Sequence, residues 1–258
     1  MILTVDIGNT NIVIGAVEGE KILFRARIRT EATKTSDEYC IDLKILLDVN
    51  NASADQIEGS IIASVVPQVL NSFETAILKL TGKKSLVVGP GIKTGLNILL
   101  DNPAQTGSDL VAADVAALRE HKPPLIIIDM GTATTVSVLD QKGAHVGGCI
   151  CPGLRISLEA LTSRTALLPG LQLDQPKKAI GRNTIDAMRS GVMLGTACML
   201  DGLVARMEEE LGSPCTVIAT GGIARHVIPM CRTPMIYDKN LVVKGLAALY
   251  RANQKGKN

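Results

Sequence analysis

DIGNTN, residues 6 to 11, stands between two apolar runs, Ile2 to Val5 before it and Ile12 to Val17 after it. A carboxylate that ends a buried strand, followed at once by a glycine turn with amide and hydroxyl side chains, joins a hard-cation ligand to backbone N–H groups that can meet phosphate oxygens. Asp6 suits Mg²⁺, which takes one or two carboxylates together with nucleotide phosphates, and Gly8, Asn9, Thr10 and Asn11 suit the phosphates. In one isolated copy, an Asx-type turn between strands explains the same residues equally well. Working outward, Lys21 to Arg29 reads as the third strand of a meander. Phe24, Ala26 and Ile28 form its buried side, and Arg25, Arg27 and Arg29 form a solvated one.

The stretch PLIIIDMGTATTVSVLD, residues 124 to 140, repeats the opening in strand type, turn chemistry and return strand, about half the chain later. It follows the break Lys122, Pro123, Pro124, and a later strand, Val217 to Gly222, answers the earlier Ile61 to Val66. Duplication is the simplest account. It gives an α/β chain of two like domains, 1–121 and 122–258, with the two polar turns facing each other across a nucleotide cleft. Gly131, Thr132 and Thr134 then join the first turn as phosphate ligands, and Thr220, Gly221 and Gly222 lie on the ribose or adenine side. The sequence has no Walker A pattern and no GxGxxG, so paired hairpins are the expected phosphate cradle.

Thr35 to Glu38 fits a capping box that opens a helix running to about Val49, and a second helix follows Pro67 from about Gln68 to Leu80. Leu86 to Val88 is a further short strand, and a turn-rich segment leads into a helix over Ala112 to Arg119. There Ser108 or Asp109 fits a helix N-cap, and Asp109 equally fits a group that orients and deprotonates an acceptor hydroxyl. A long helix opens near Asn183 and runs towards Leu211. Gly191, Gly195 and Gly202 along one side of it predict a close helix crossing, from this chain or a partner subunit. The final eight residues, RANQKGKN, read as an unstructured polar tail.

Composition narrows the function classes. Across 258 residues, 46% are hydrophobic and 20% charged, with a net charge of +2, which describes a globular chain without a field to gather nucleic acid. Aromatics are 2% and Trp is absent, so base-stacking platforms are not available. The six cysteines lack a CxxC pair and stand apart from the three histidines, which argues against a zinc site and a disulfide framework. Asp6, Asn9 and Asn11 interrupt the first apolar run before it reaches membrane length, and no basic leader precedes it, so a reducing cytoplasm is expected.

Seven blocks together resemble the type III pantothenate kinases of the acetate kinase, Hsp70 and actin superfamily: DIGNTN, DNPAQTGSD at 101–109, DMGTATT at 129–135, GGCICPGL at 147–154, TALLP at 165–169, GRNTIDAMRSG at 181–191 and ATGG at 219–222. The resemblance implies two ribonuclease H-like domains, each a mixed sheet flanked by helices. It implies ATP as co-substrate and phosphorylation of pantothenate to 4′-phosphopantothenate, the first step of coenzyme A synthesis. Asp109 becomes the catalytic base, Asp6 stands near Mg²⁺ and the γ-phosphate, and Asp129 holds K⁺ or NH₄⁺. Gly107, Ser108, Thr184 and position 100 line the pantothenate site, and a homodimer is implied. The chain departs from the pattern on the acceptor side. Leu110 stands where the family has Arg, Leu100 where it commonly has Tyr, and Ala113 where Asn is usual. A kinase for another small alcohol, or an ATP-binding regulatory paralogue without turnover, is the alternative that these departures leave open.

Overall fold

Strand β1 (Ile2–Ile7) pairs antiparallel with β2 (Asn11–Glu18), and β2 pairs antiparallel with β3 (Lys21–Arg29). The computed structural model describes residues 1–254. After the meander come α1 (Ser36–Val49), β4 (Gly59–Ser64), α2 (Pro67–Thr81), β5 (Leu86–Val87) and α3 (Ser108–Glu120). The sheet order is β3-β2-β1-β4-β5, with β1, β4 and β5 parallel. Strand period decides its layers: Leu3, Val5 and Ile7 of β1 and Ile12, Ile14 and Ala16 of β2 face one core, closed by Tyr39, Leu43 and Leu47 of α1 and by Val69, Phe73 and Ile77 of α2. The expected capping box is present, with Thr35 accepting from the Glu38 amide and Glu38 from the Thr35 amide.

The second set repeats this plan. It comprises β6 (Leu125–Met130), β7 (Ala133–Leu139), β8 (His145–Pro152), α4 (Leu154–Ser163), α5 (Thr184–Leu211), β9 (Thr216–Thr220), α6 (Ala224–Val227) and β10 (Ile236–Tyr237); α7 (Leu241–Gln254) ends the described chain. Its sheet order, β10-β9-β6-β7-β8, has the same antiparallel meander and the same parallel neighbour, β9, on the other side of the first strand. Ile126, Ile128, Met130, Val136 and Val138 pack there beneath Leu154 of α4 and Met193, Ala197, Leu200 and Val204 of α5.

The chain divides into two compact units, Met1–Leu96 with Asp101–Ala116 and the segment from Leu241, and Asn97–Leu100 with Ala117–Asn240. The simple halving at 121/122 therefore misplaces α7. Val243 and Ala247 of α7 cluster with Val17 of β2, and a Cβ on Gly15 of β2 would lie 2.6 Å from Val243, so α7 covers the face of the first sheet opposite α1 and α2. The polar tail is corrected with it. Helix α7 continues to Gln254 because its buried side keeps helical spacing through Leu246 and Leu249; Lys255 to Asn258 lie outside the described residues. Helix α3 also starts earlier than its apolar periodicity indicates, at Ser108.

Candidate functional site

In the first unit Asp6 lies one residue before the end of β1, opposite Val13 of β2 and Ala63 of β4. The turn beyond it closes through Gly8 N–H donating to Asn11 O at 3.1 Å. Thr30, just past β3, fixes that turn from outside: its hydroxyl donates to Gly8 O at 2.6 Å and its amide to Thr10 O at 3.0 Å. Asn9 and Thr10 are left exposed at the tip. Thr30 carries no motif of its own, and only the strand register reveals it.

The same strand ends hold the start of α3. Val65 N–H donates to Ile7 O at 3.1 Å, and Ser64 N–H donates to Ser108 Oγ at 2.9 Å. Ser108 thus spends its hydroxyl on β4 and leaves helix capping aside. Asp109 follows in the first turn with Oδ1 accepting from the Leu110 amide at 2.9 Å, a local bond that differs from an N-cap's bond to a residue two or three further on. Burial, the largest influence, pushes its carboxyl above the ordinary aspartate value. A Cβ on Gly107 would come within 2.5 Å of Asp109 Oδ1. Asp6, Ser64, Ser108 and Asp109 are therefore joined through the ends of β1 and β4, and Ser64 is the member that sequence reading missed.

In the second unit Asp129 is paired with Thr135 of β7 and Thr220 of β9. Gly221 has φ +92°, and a Cβ there would fall 2.7 Å from Asp129 Oδ1 and 2.5 Å from Met130 O. Only a residue without a side chain sits against that carboxylate. Gly153, before α4, is seated as tightly, since its Cβ would meet Thr132 O at 1.9 Å. The N-terminus of α4 therefore abuts the Gly131–Thr132 turn.

The second hairpin is one residue shorter than the first. Ile7 pairs with Ile12, whereas Met130 pairs with Thr134, and the turn closes from Gly131 N–H to Ala133 O at 3.0 Å. Thr134 accordingly takes the place of core-facing Ile12. It is 1% exposed, and its hydroxyl lies on the opposite face from Asp129, so the expected phosphate contact through that side chain does not fit; Thr135 shares the face of Asp129. Leu100 belongs to the second unit, where Leu99 N–H donates to His145 O at 2.8 Å, while Gly107, Ser108 and Asp109 belong to the first. Thr184 is the exposed first residue of α5, capped by Asn183, which accepts from the Asp186 amide at 2.9 Å. Arg189 of α5 ion-pairs with Asp174 and Asp186. Gly191, Gly195 and Gly202 are exposed, with nothing within 4 Å of a built Cβ, so no described helix of this chain crosses them.

Two repeated units, each a mixed sheet with an acidic strand end and a glycine turn, define a duplicated two-domain α/β fold. Solved structures share it. The activator of 2-hydroxyisocaproyl-CoA dehydratase from Clostridium difficile, with bound ADPNP, superposes at TM-score 0.59 with 15% identity over 100% of this chain and 98% of that one. Component A of (R)-2-hydroxyglutaryl-CoA dehydratase from Acidaminococcus fermentans gives 0.60 with 14% identity over 99% of both. At that distance the likeness concerns the fold alone. The sequence profile of the type III pantothenate kinases matches residues 2–206. Type III pantothenate kinases of Exiguobacterium sp. strain AT1b and Brevibacillus brevis are 45% and 41% identical over 99% and 98% of this chain and the whole of theirs. The chain belongs to the type III pantothenate kinase family, phosphotransferases that use ATP to phosphorylate pantothenate in coenzyme A biosynthesis.

Proposed function

We propose that Asp109 takes the proton from the acceptor hydroxyl of pantothenate, and that the Asp6 and Asp129 turns bind the phosphates and cations of ATP. The observation that carries the reading is the seating of Asp109. Its carboxyl is half-buried, raised in pKa by that burial, and tied through Ser108 and Ser64 to the strand ends that carry Asp6. A carboxylate made more basic by burial is a better proton acceptor once ionised. In the first turn, Gly8, Asn9, Thr10 and Asn11 offer backbone and side-chain donors to phosphate; in the second, Gly131 and Thr132 do so beside the α4 N-terminus, with Gly221 and Gly222 next to them.

The residues fit hard cations. Around Gly221 the Asp129 carboxylate and the Met130 carbonyl converge where a Cβ would otherwise stand, an all-oxygen donor set. Asp129 would hold K⁺ or NH₄⁺ there, and Asp6 would hold Mg²⁺; bound cations neutralise charge on the transferring phosphoryl group. Replacement of K⁺ by Na⁺ should sharply lower turnover, and equal turnover in Na⁺ would remove Asp129 from this role. Gly107, Ser108, Leu100 and Thr184 are assigned to pantothenate.

The decisive assay supplies the purified protein with ATP, Mg²⁺, K⁺ and pantothenate. Phosphopantothenate should form with the wild type and fall to background with Asp109→Asn. ATP binding without product in the wild type would overturn the acceptor assignment. The exposed glycine side of α5, with the exposed apolar residues Ile150, Ile180 and Ile185 in the same unit, supports a homodimer. Among the described residues no helix is long and apolar enough to cross a membrane, in keeping with a cytoplasmic biosynthetic enzyme.

A further inference from the structure

Strand β8 turns alternate residues to the core, which puts Cys149 and Cys151 two apart on one face. Their thiols are within hydrogen-bond reach of each other. The register sets Thr134 beside Cys151 and Val136 beside Cys149, with Met130 on the other side of Thr134. Thr134 is 1% exposed, and its hydroxyl has no hydrogen-bond partner. A buried hydroxyl without a partner is a standing cost to the fold. The equivalent position of the first unit avoids this with Ile12, so one core patch of the second unit gathers two thiols, an unpaired oxygen and a neighbouring thioether.

We propose that Cys149 and Cys151 chelate a thiophilic d¹⁰ cation, Cu⁺ being the case that two thiolates satisfy by themselves, with the Thr134 hydroxyl beside it. Among the described residues no three His, Cys, Asp or Glu side chains converge, so the four-ligand shell of structural Zn²⁺ is not built. Soft sulfur ligands select Cu⁺. A disulfide suits the geometry less well. Two residues of extended strand separate the Cα atoms, and with near-parallel Cβ vectors the Cβ atoms, by about 6.6 Å, which is the long end of the Cα range of a cystine and well beyond its Cβ spacing of about 3.5–4.5 Å. The strand is also held against β7 and its turn at either end of the pair, because a Cβ on Gly148 would clash with Val136 O and one on Gly153 with Thr132 O. A cation bound to both sulfurs bridges the pair without drawing the two Cβ atoms to cystine distance.

Binding replaces S–H by S–Cu at each sulfur and releases two protons to solvent, with no electron transferred. The complex carries one negative charge. Helix α4, whose N-cap Gly153 stands two residues beyond Cys151, favours that charge at its N-terminus.

The test is anaerobic titration of the reduced, full-length protein with Cu⁺ buffered by a competing chromophoric chelator. One equivalent should be withdrawn from the chelator. Cys149→Ser and Cys151→Ser should each weaken binding by more than the ~10–100-fold that loss of an outer partner causes, and Thr134→Val by about 10-fold. Cys198→Ser, at an exposed cysteine, should leave it unchanged. Retention of the equivalent in the Cys149→Ser/Cys151→Ser double variant, or its loss with Cys198→Ser, overturns the proposal. X-ray absorption of the loaded wild type gives a readout independent of variant folding: two sulfur neighbours are expected, and a shell of nitrogen or oxygen alone refutes the site.

Discussion

Asp109 is held in a state that opposes stability and, in the role proposed for it, serves the reaction. Because burial raises its folded pKa above the unfolded value, the folded protein binds more protons between those two values, and stability falls as pH rises through that window. At neutral pH an ionised Asp109 is thus a destabilising charge. Asp109→Asn should lower kcat by about 10²–10⁴-fold while raising Tm, a pairing that an ordinary structural aspartate does not give. The acidic limb of the kcat/KM profile should lie above the ordinary aspartate range and disappear in that variant. At the neighbouring position, Leu110 offers an anionic substrate nothing, whereas a guanidinium binds carboxylate in two-point fashion. Leu110→Arg should therefore lower the KM for pantothenate, and an unchanged KM would show that this pocket is served from elsewhere.

At the scale of elements, the site depends on backbones that approach without side chains between them. Gly221→Ala places a methyl group 2.7 Å from Asp129 Oδ1 at φ +92°, and Gly153→Ala places one against Thr132 O. Each should cost about 1–3 kcal/mol of stability, read by denaturant unfolding, and each should raise the KM for ATP; the opposite result, full ATP affinity, would separate those turns from the nucleotide. How much of this is legible in the sequence follows from what each element depends on. Strand alternation in β3, the capping box of α1 and the acidic strand ends are local signals, and they read correctly. The one-residue difference between the hairpins is not local. A fixed offset between the copies aligns Thr134 with Asn11, and only the cross-strand register shows that it replaces Ile12. Thr30 and Ser64 are invisible for the same reason, since a hydroxyl that braces a distant turn has no periodicity to announce it.

Across the whole molecule, the repeated sheet plan is readable in the sequence and the division of the chain is not. The likeness of Asp6 and Asp129 reveals two copies, but nothing in the apolar spacing of α7 states which copy it covers. Its packing on the first sheet makes a clear prediction. Leu246→Ala should destabilise by about 2–5 kcal/mol, and hydrogen exchange should rise in β1, β2 and β4 while β6, β7 and β9 keep their protection. A homodimer should sediment at about twice 27.2 kDa, and a monomer at micromolar concentration would remove the α5 glycine side as its contact. The return of α7 also orders events on the ribosome. The second sheet and its helices are translated before the helix that seals the first, so the earliest-made strands wait, with one apolar side uncovered, until almost all the chain has emerged. A stall after Asn240 should leave the later-made half protected from protease and the earlier-made half open to it.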